Sequence, residues 1–69
     1  MLSVFKKIGG YDKSYKVLRE SGWNGAKSSL FIQSYRGATS AKVALILWDH
    51  CQKNNIPVNI SDFQKKEGE

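Results

Sequence analysis

The stretch 39–53 limits the possible folds more than any other part of this chain. It places Ala41, Val43, Ala44, Leu45, Ile46, Leu47, Trp48 and Cys51 within a few turns of one predicted helix. Wound at helical pitch, these residues spread over a wide arc, and a helix that is apolar on most sides is expected to be central and wrapped by others. The continuous apolar run 43–48 is far short of the ~20 residues that a membrane span needs. The chain has 69 residues. A domain of that size buries only about 60% of its unfolded surface. The remaining segments are therefore needed to cover this helix, and no second domain or deep substrate cleft fits.

Glycine and asparagine divide the rest of the chain. Gly9-Gly10, Gly22 with Asn24-Gly25, Gly37 and Asn54-Asn55 are the breaks. A first helix over 2–8 carries Val4, Phe5 and Ile8. A second, over 11–21, puts Tyr11, Tyr15 and Leu18 on one face, with Lys13, Lys16 and Glu20 opposite. Asp12 is a candidate cap at its start, and Gly22 suits the left-handed position after its end. A third helix runs from 25 or 26 to 36, with Asn24 as candidate N-cap and Ala26, Leu30 and Phe31 facing inward. Its polar stripe is Ser29, Gln33 and Arg36, and Lys27 and Ser28 sit in its first turn. Thr39 or Ser40 opens the fourth helix. Ile56, Val58 and Ile60 then alternate with Pro57, Asn59 and Ser61, which is the strand signal, although Pro57 restricts it to an edge. Phe63 is expected to fold back as an anchor. The pattern predicts a mostly α, small four- to five-helix domain over 1–63, with a helix-turn-helix, a short C-terminal extended segment and a frayed tail over 64–69.

Catalysis finds little support. Asp49, His50 and Cys51 are consecutive, and neighbours on a helix point about 100° apart, so they do not converge. Cys51 falls on the apolar face with Leu47 and Trp48. One cysteine permits no internal disulfide, and one cysteine with one histidine leaves a zinc site short of ligands. Gly9-Gly10 lacks the Gly-Lys-Ser/Thr of a phosphate loop. No catalytic residue, metal site or cofactor is expected.

Charge points to binding instead. Residues 1–42 hold eight Lys and Arg against Asp12 and Glu20, a net +6, while residues 43–69 net −1. The isoelectric point is near 9.6. A one-sided basic field on so small a domain suits phosphate contacts that release counterions. Two helices joined by a glycine-bearing turn describe a helix-turn-helix, whose second helix enters the major groove. In that geometry Arg36 suits guanine and Gln33 suits adenine. Ser28 and Ser29 reach bases or phosphates, and Lys13, Lys16, Asn24 and Lys27 lie around the entry to the groove. Trp23 is expected to pack over the turn, and Trp48 to be core.

The stretch Ile8-Gly9-Gly10-Tyr11-Asp12-Lys13 with 18–22, the run Arg36-Gly37-Ala38-Thr39-Ser40-Ala41-Lys42-Val43-Ala44, and the ending Ile56-Pro57-Val58-Asn59-Ile60-Ser61-Asp62-Phe63 resemble Cro- and YdaS-like phage regulators. The resemblance spans about 8–63. It implies a compact helical fold, operator DNA binding, frequent dimerisation, and a recognition-helix role for Lys27, Ser28, Ser29, Gln33 and Arg36. Leu18 stands where such proteins carry alanine, and Leu30 lies two residues beyond their usual buried position. Either the turn is two residues longer, through Trp23-Asn24-Gly25, or the register differs. The expected function is a sequence-specific duplex-DNA-binding repressor. It is expected to be cytoplasmic, since the N-terminus lacks a signal peptide's long apolar centre, and a homodimer could form through Phe63 or the segment 56–60. The alternative is a small protein-interaction module that inhibits a host enzyme or nuclease.

Overall fold

The computed structural model describes residues 2–64. It forms four α-helices, α1 (Ser3–Ile8), α2 (Tyr11–Glu20), α3 (Lys27–Arg36) and α4 (Ala41–Lys53), followed by one 3-10 turn, Ile60–Asp62. The mostly helical architecture matches the periodicity, and the helix ends show why. After α2, Gly22 takes φ +90°, its N–H bonds the Arg19 carbonyl, and the Trp23 N–H bonds the Leu18 carbonyl. After α3, Gly37 at φ +87° and Ala38 reach Ser34 and Gln33 in the same way. Paired bonds of this kind satisfy carbonyls that the helix itself leaves open. Asn55, at φ +57°, does the same for α4, with Ile56 bonding Cys51.

The core gathers Leu2, Val4, Phe5 and Ile8 from the α1 segment, Val17 and Leu18 from α2, Leu30 from α3, Val43, Leu47 and Cys51 from α4, and Phe63. The expected central role of α4 is corrected. Only its 43/47/51 stripe is buried, while Leu45 is 72% exposed and Trp48 39%. The helix that packs on all three others is α2. Its buried Ser14 is small, and the Ser14 hydroxyl is satisfied by the Gly10 carbonyl at 2.7 Å. Trp48 is thus not core; it lies tilted over Phe63, with ring centroids 5.9 Å apart.

Three other expectations also change. Asp12 is not the cap of α2: Gly10 holds that position, and Asp12 lies in the first turn. The third helix starts at Lys27, with Ala26 rather than Asn24 as N-cap. The alternating segment 56–60 forms no strand among the described residues. It runs extended into a capping box, in which the Asn59 side chain accepts the Ser61 N–H and the Asp62 carboxylate accepts the Asn59 N–H. The chain then returns to the α3–α4 turn: Thr39 N–H bonds the Phe63 carbonyl, and Ala38 bridges Gln64. Gln64, expected in the tail, is therefore tied down. The rest of that tail, 65–69, lies outside the described residues.

Asp62 holds this return in place. Its Oδ2 accepts from Asn59 N at 2.9 Å and from Lys7 Nζ at 3.0 Å, and Lys7 also donates to the Pro57 carbonyl at 2.8 Å. The backbone N–H of Asn59 and the Lys7 ammonium hold the Asp62 carboxyl below its ordinary pKa, against the effect of burial. A carboxyl lowered in the fold stabilises above its unfolded pKa, and the contribution is lost as pH falls through the folded value. Asp62→Asn is therefore expected to cost about 1–3 kcal/mol at pH 7. That difference should shrink below about pH 4. Urea titrations of both proteins at pH 7 and pH 3 check this.

Candidate nucleic-acid interface

Helix α3 is anchored along one side. Leu30 and Ser34 are buried, and the Ser34 hydroxyl accepts the Leu2 N–H at 3.3 Å, which ties α3 to the start of α1. Phe31, expected inside, is 45% exposed and instead meets the Tyr11 ring edge-on, with centroids 4.5 Å apart. Ahead of α3, Trp23 lies across Gly25 and faces Tyr15 edge-on at 6.5 Å. The backbone at Gly25 passes against the indole, and Ala26, in extended conformation, precedes the first turn of α3. The connection between α2 and α3 spans 21–26.

The anchored side defines the outward one. At about 100° per residue, Ile32 lies about 200° from both Leu30 and Ser34, diametrically outward. Around it stand Ser28, Ser29, Tyr35 and Arg36, its i±3 and i±4 neighbours. Tyr35 is 89% exposed and Ile32 50%; Ser28 and Arg36 are exposed, and Ser29 is half-buried. The polar stripe read from the sequence is therefore only half right. Ser29 and Arg36 flank the outward centre, but Gln33 turns toward α4, where its Oε1 accepts the Ser40 N–H at 2.8 Å. Ser40 in turn caps α4 through Val43 N. Bidentate adenine pairing needs both ends of the amide, and in Gln33 the carbonyl end is committed to the α3–α4 turn. Tyr35, beside Arg36, suits a backbone phosphate from sequence alone, whereas Ile32 is not marked there because Leu30 and Phe31 together suggest a different inward side.

The basic residues separate into two groups. Lys7 pairs with Asp62, Lys53 with Asp49 at 3.0 Å, and Lys27 with Asp12. The Lys27 ammonium, expected on phosphate, is thus shared with α2. Among the described residues, Lys6, Lys13, Lys16, Arg19, Arg36 and Lys42 are in no ion pair, and Glu20 is the one acid in none. Lys13, Lys16 and Asn24 are exposed, as expected.

Two concavities lie elsewhere on the described residues. A polar hollow of about 400 Å³ is lined by Lys7, Gln52, Asn55 and Asn59, but its ammonium is already satisfied by Asp62 and the Pro57 carbonyl. An apolar trough of about 560 Å³ lies between Ala44, Leu45 and Trp48 on α4 and Ile60 and Phe63. Cys51 is fully buried, and burial pushes its thiol pKa up. Among the described residues, no three His, Cys, Asp or Glu side chains come together as metal ligands, and no helix is long and apolar enough to cross a membrane. Compared with family models, with curated proteins and with solved structures, the chain matches none, so its likeness to Cro-type regulators rests on the short motifs quoted above.

Proposed function

We propose that this chain is a sequence-specific duplex-DNA-binding transcriptional regulator of the phage-repressor kind, acting in the cytoplasm, with α3 as the helix that enters the major groove. One observation carries the reading: α3 turns Ser28, Ser29, Tyr35 and Arg36 outward, and among the described residues the charge outside ion pairs is almost wholly cationic. Arg36 supplies the bidentate fork for a guanine edge, while Lys13 and Lys16 supply point charges for phosphate. Lys27 reaches phosphate only by exchanging its Asp12 partner, so its contribution is smaller than its position suggests.

Gel-shift titration on a random duplex pool tests this. Binding is expected to fall with a log–log salt slope of about −4 to −5, for four to six phosphate contacts. Arg36→Ala is expected to lose about 1–3 kcal/mol of discrimination at one base pair, whereas Lys16→Ala weakens all sequences alike. Unchanged binding in both variants would remove α3 from the interface.

The apolar trough supports a protein contact as well. We assign it to self-association rather than to inhibition of a host enzyme, because a paired regulator reads two half-sites about one helical turn apart. Of the two expected contacts, Phe63 is buried, while Ile60 of the segment 56–60 is 71% exposed and lines the trough with Leu45, which is 72% exposed. A monomer mass in sedimentation, with and without bound duplex, would return the trough to the inhibitor reading.

A further inference from the structure

Ile32 is out of place on a solvated helix. It is 50% exposed, it sits at the outward centre of α3, and hydrogen-bonding side chains surround it on the helix: Ser28, Ser29, Tyr35 and Arg36. A scattered exposed isoleucine needs no explanation. One whose i±3 and i±4 neighbours are Ser28, Ser29, Tyr35 and Arg36 does, because each of those four can hydrogen-bond a nucleic-acid edge and this side chain offers no hydrogen bond. The major groove has one apolar feature, the thymine C5-methyl. A β-branched side chain on a helix is held in essentially one χ1 rotamer, so Ile32 presents its methyl groups at a fixed place with little entropy left to lose.

We infer that Ile32 is a specificity-determining residue that reads a thymine methyl in the major groove. The inference rests on the duplex-DNA reading above and goes further, since it names a base and a position. Helix neighbours four apart have Cβ atoms about 5–6 Å from each other. Successive bases on a strand rise about 3.4 Å. The thymine read by Ile32 therefore lies one or two base pairs from the guanine read by Arg36.

The test starts from a random duplex pool enriched on the wild-type protein, with the enriched duplex then synthesised with uracil replacing thymine at one position at a time. One such replacement, within two base pairs of a guanine, is expected to weaken wild-type binding about fourfold, the value of one buried methyl. Ile32→Ala is expected to bind the thymine duplex about as weakly as the wild type binds the uracil duplex, and to be indifferent to the exchange. Enriched duplexes that bind wild-type protein tightly, with thymine and uracil equivalent at every position, would overturn the role of Ile32 and leave the DNA-binding reading standing. No enrichment of any duplex at low salt would overturn both. If Ile32→Ala changes the sedimentation mass while thymine discrimination persists, this face is a protein contact and the inference fails.

Discussion

Phe5→Ala is expected to remove most of this domain's stability. Phe5 is fully buried, and truncating a buried phenylalanine costs about 3–5 kcal/mol through lost burial and the cavity left behind. At the usual 0.05–0.15 kcal/mol per residue, a chain of this length holds only about 3–10 kcal/mol in all. The damage should also spread toward the interface. The Phe5 ring lies 5.5 Å from Tyr11, and Tyr11 holds Phe31 of α3 edge-on. Helix α1 is six residues long, far below the length at which a helix persists on its own in water, so it depends on this anchor. Thermal unfolding followed by circular dichroism checks the prediction, at about 4–8 °C of midpoint per kcal/mol for a domain of this size. Leu45→Ala, measured at a concentration where sedimentation gives the monomer mass so that loss of a dimer contact does not enter, is the matched control. The sequence alone would have made it equally harmful, but its exposure predicts almost no shift.

That contrast marks where sequence reading ends. Local signals were legible. The 3.6 period located all four helices, Gly22 and Gly37 stopped two of them, and Ser40 lay at the start of the fourth. The inward direction of α4 was not legible, because apolar residues occupy most of its circumference and only packing against the rest of the core selects the 43/47/51 stripe. Alternation at 56–60 suggested a strand, yet a strand needs a partner, and nothing in a one-dimensional pattern says whether one exists. The Asn59–Asp62 spacing was a readable capping signal that alternation overshadowed. At the candidate interface, Arg36 could be placed by periodicity. The diversion of Gln33 to Ser40 could not, because it depends on how α3 and α4 meet across Gly37. The Lys7–Asp62 clamp joins residues at opposite ends of the chain and leaves no local trace.

Gly25→Ala should have the other large effect, and for a reason no turn propensity predicts. A Cβ on Gly25 would stand 2.5 Å from Trp23 Cη2 and 2.6 Å from Cε2, and closer still to Cζ2. The methyl cannot share that space, so the indole must leave its place beside Tyr15. Overpacking of this sort costs about 1–3 kcal/mol. The displaced ring lies in the connection that leads directly into α3. Gly22→Ala separates sterics from backbone strain. Gly22 has open space around it and φ +90°, so alanine there carries only the left-handed penalty of about 1–2 kcal/mol and leaves Trp23 in place. In a Trp48→Phe background, where Trp23 is the remaining indole, Gly25→Ala is expected to shift the emission to longer wavelength as the ring becomes solvated, and Gly22→Ala is not. A double-mutant cycle completes the test. With Trp23→Ala already in place, Gly25→Ala should cost little, since the atoms that exclude the new methyl are gone. If the substitution costs the same with and without the indole, then the Trp23 ring is not what demands glycine at 25, and a different contact holds the turn ahead of the candidate recognition helix.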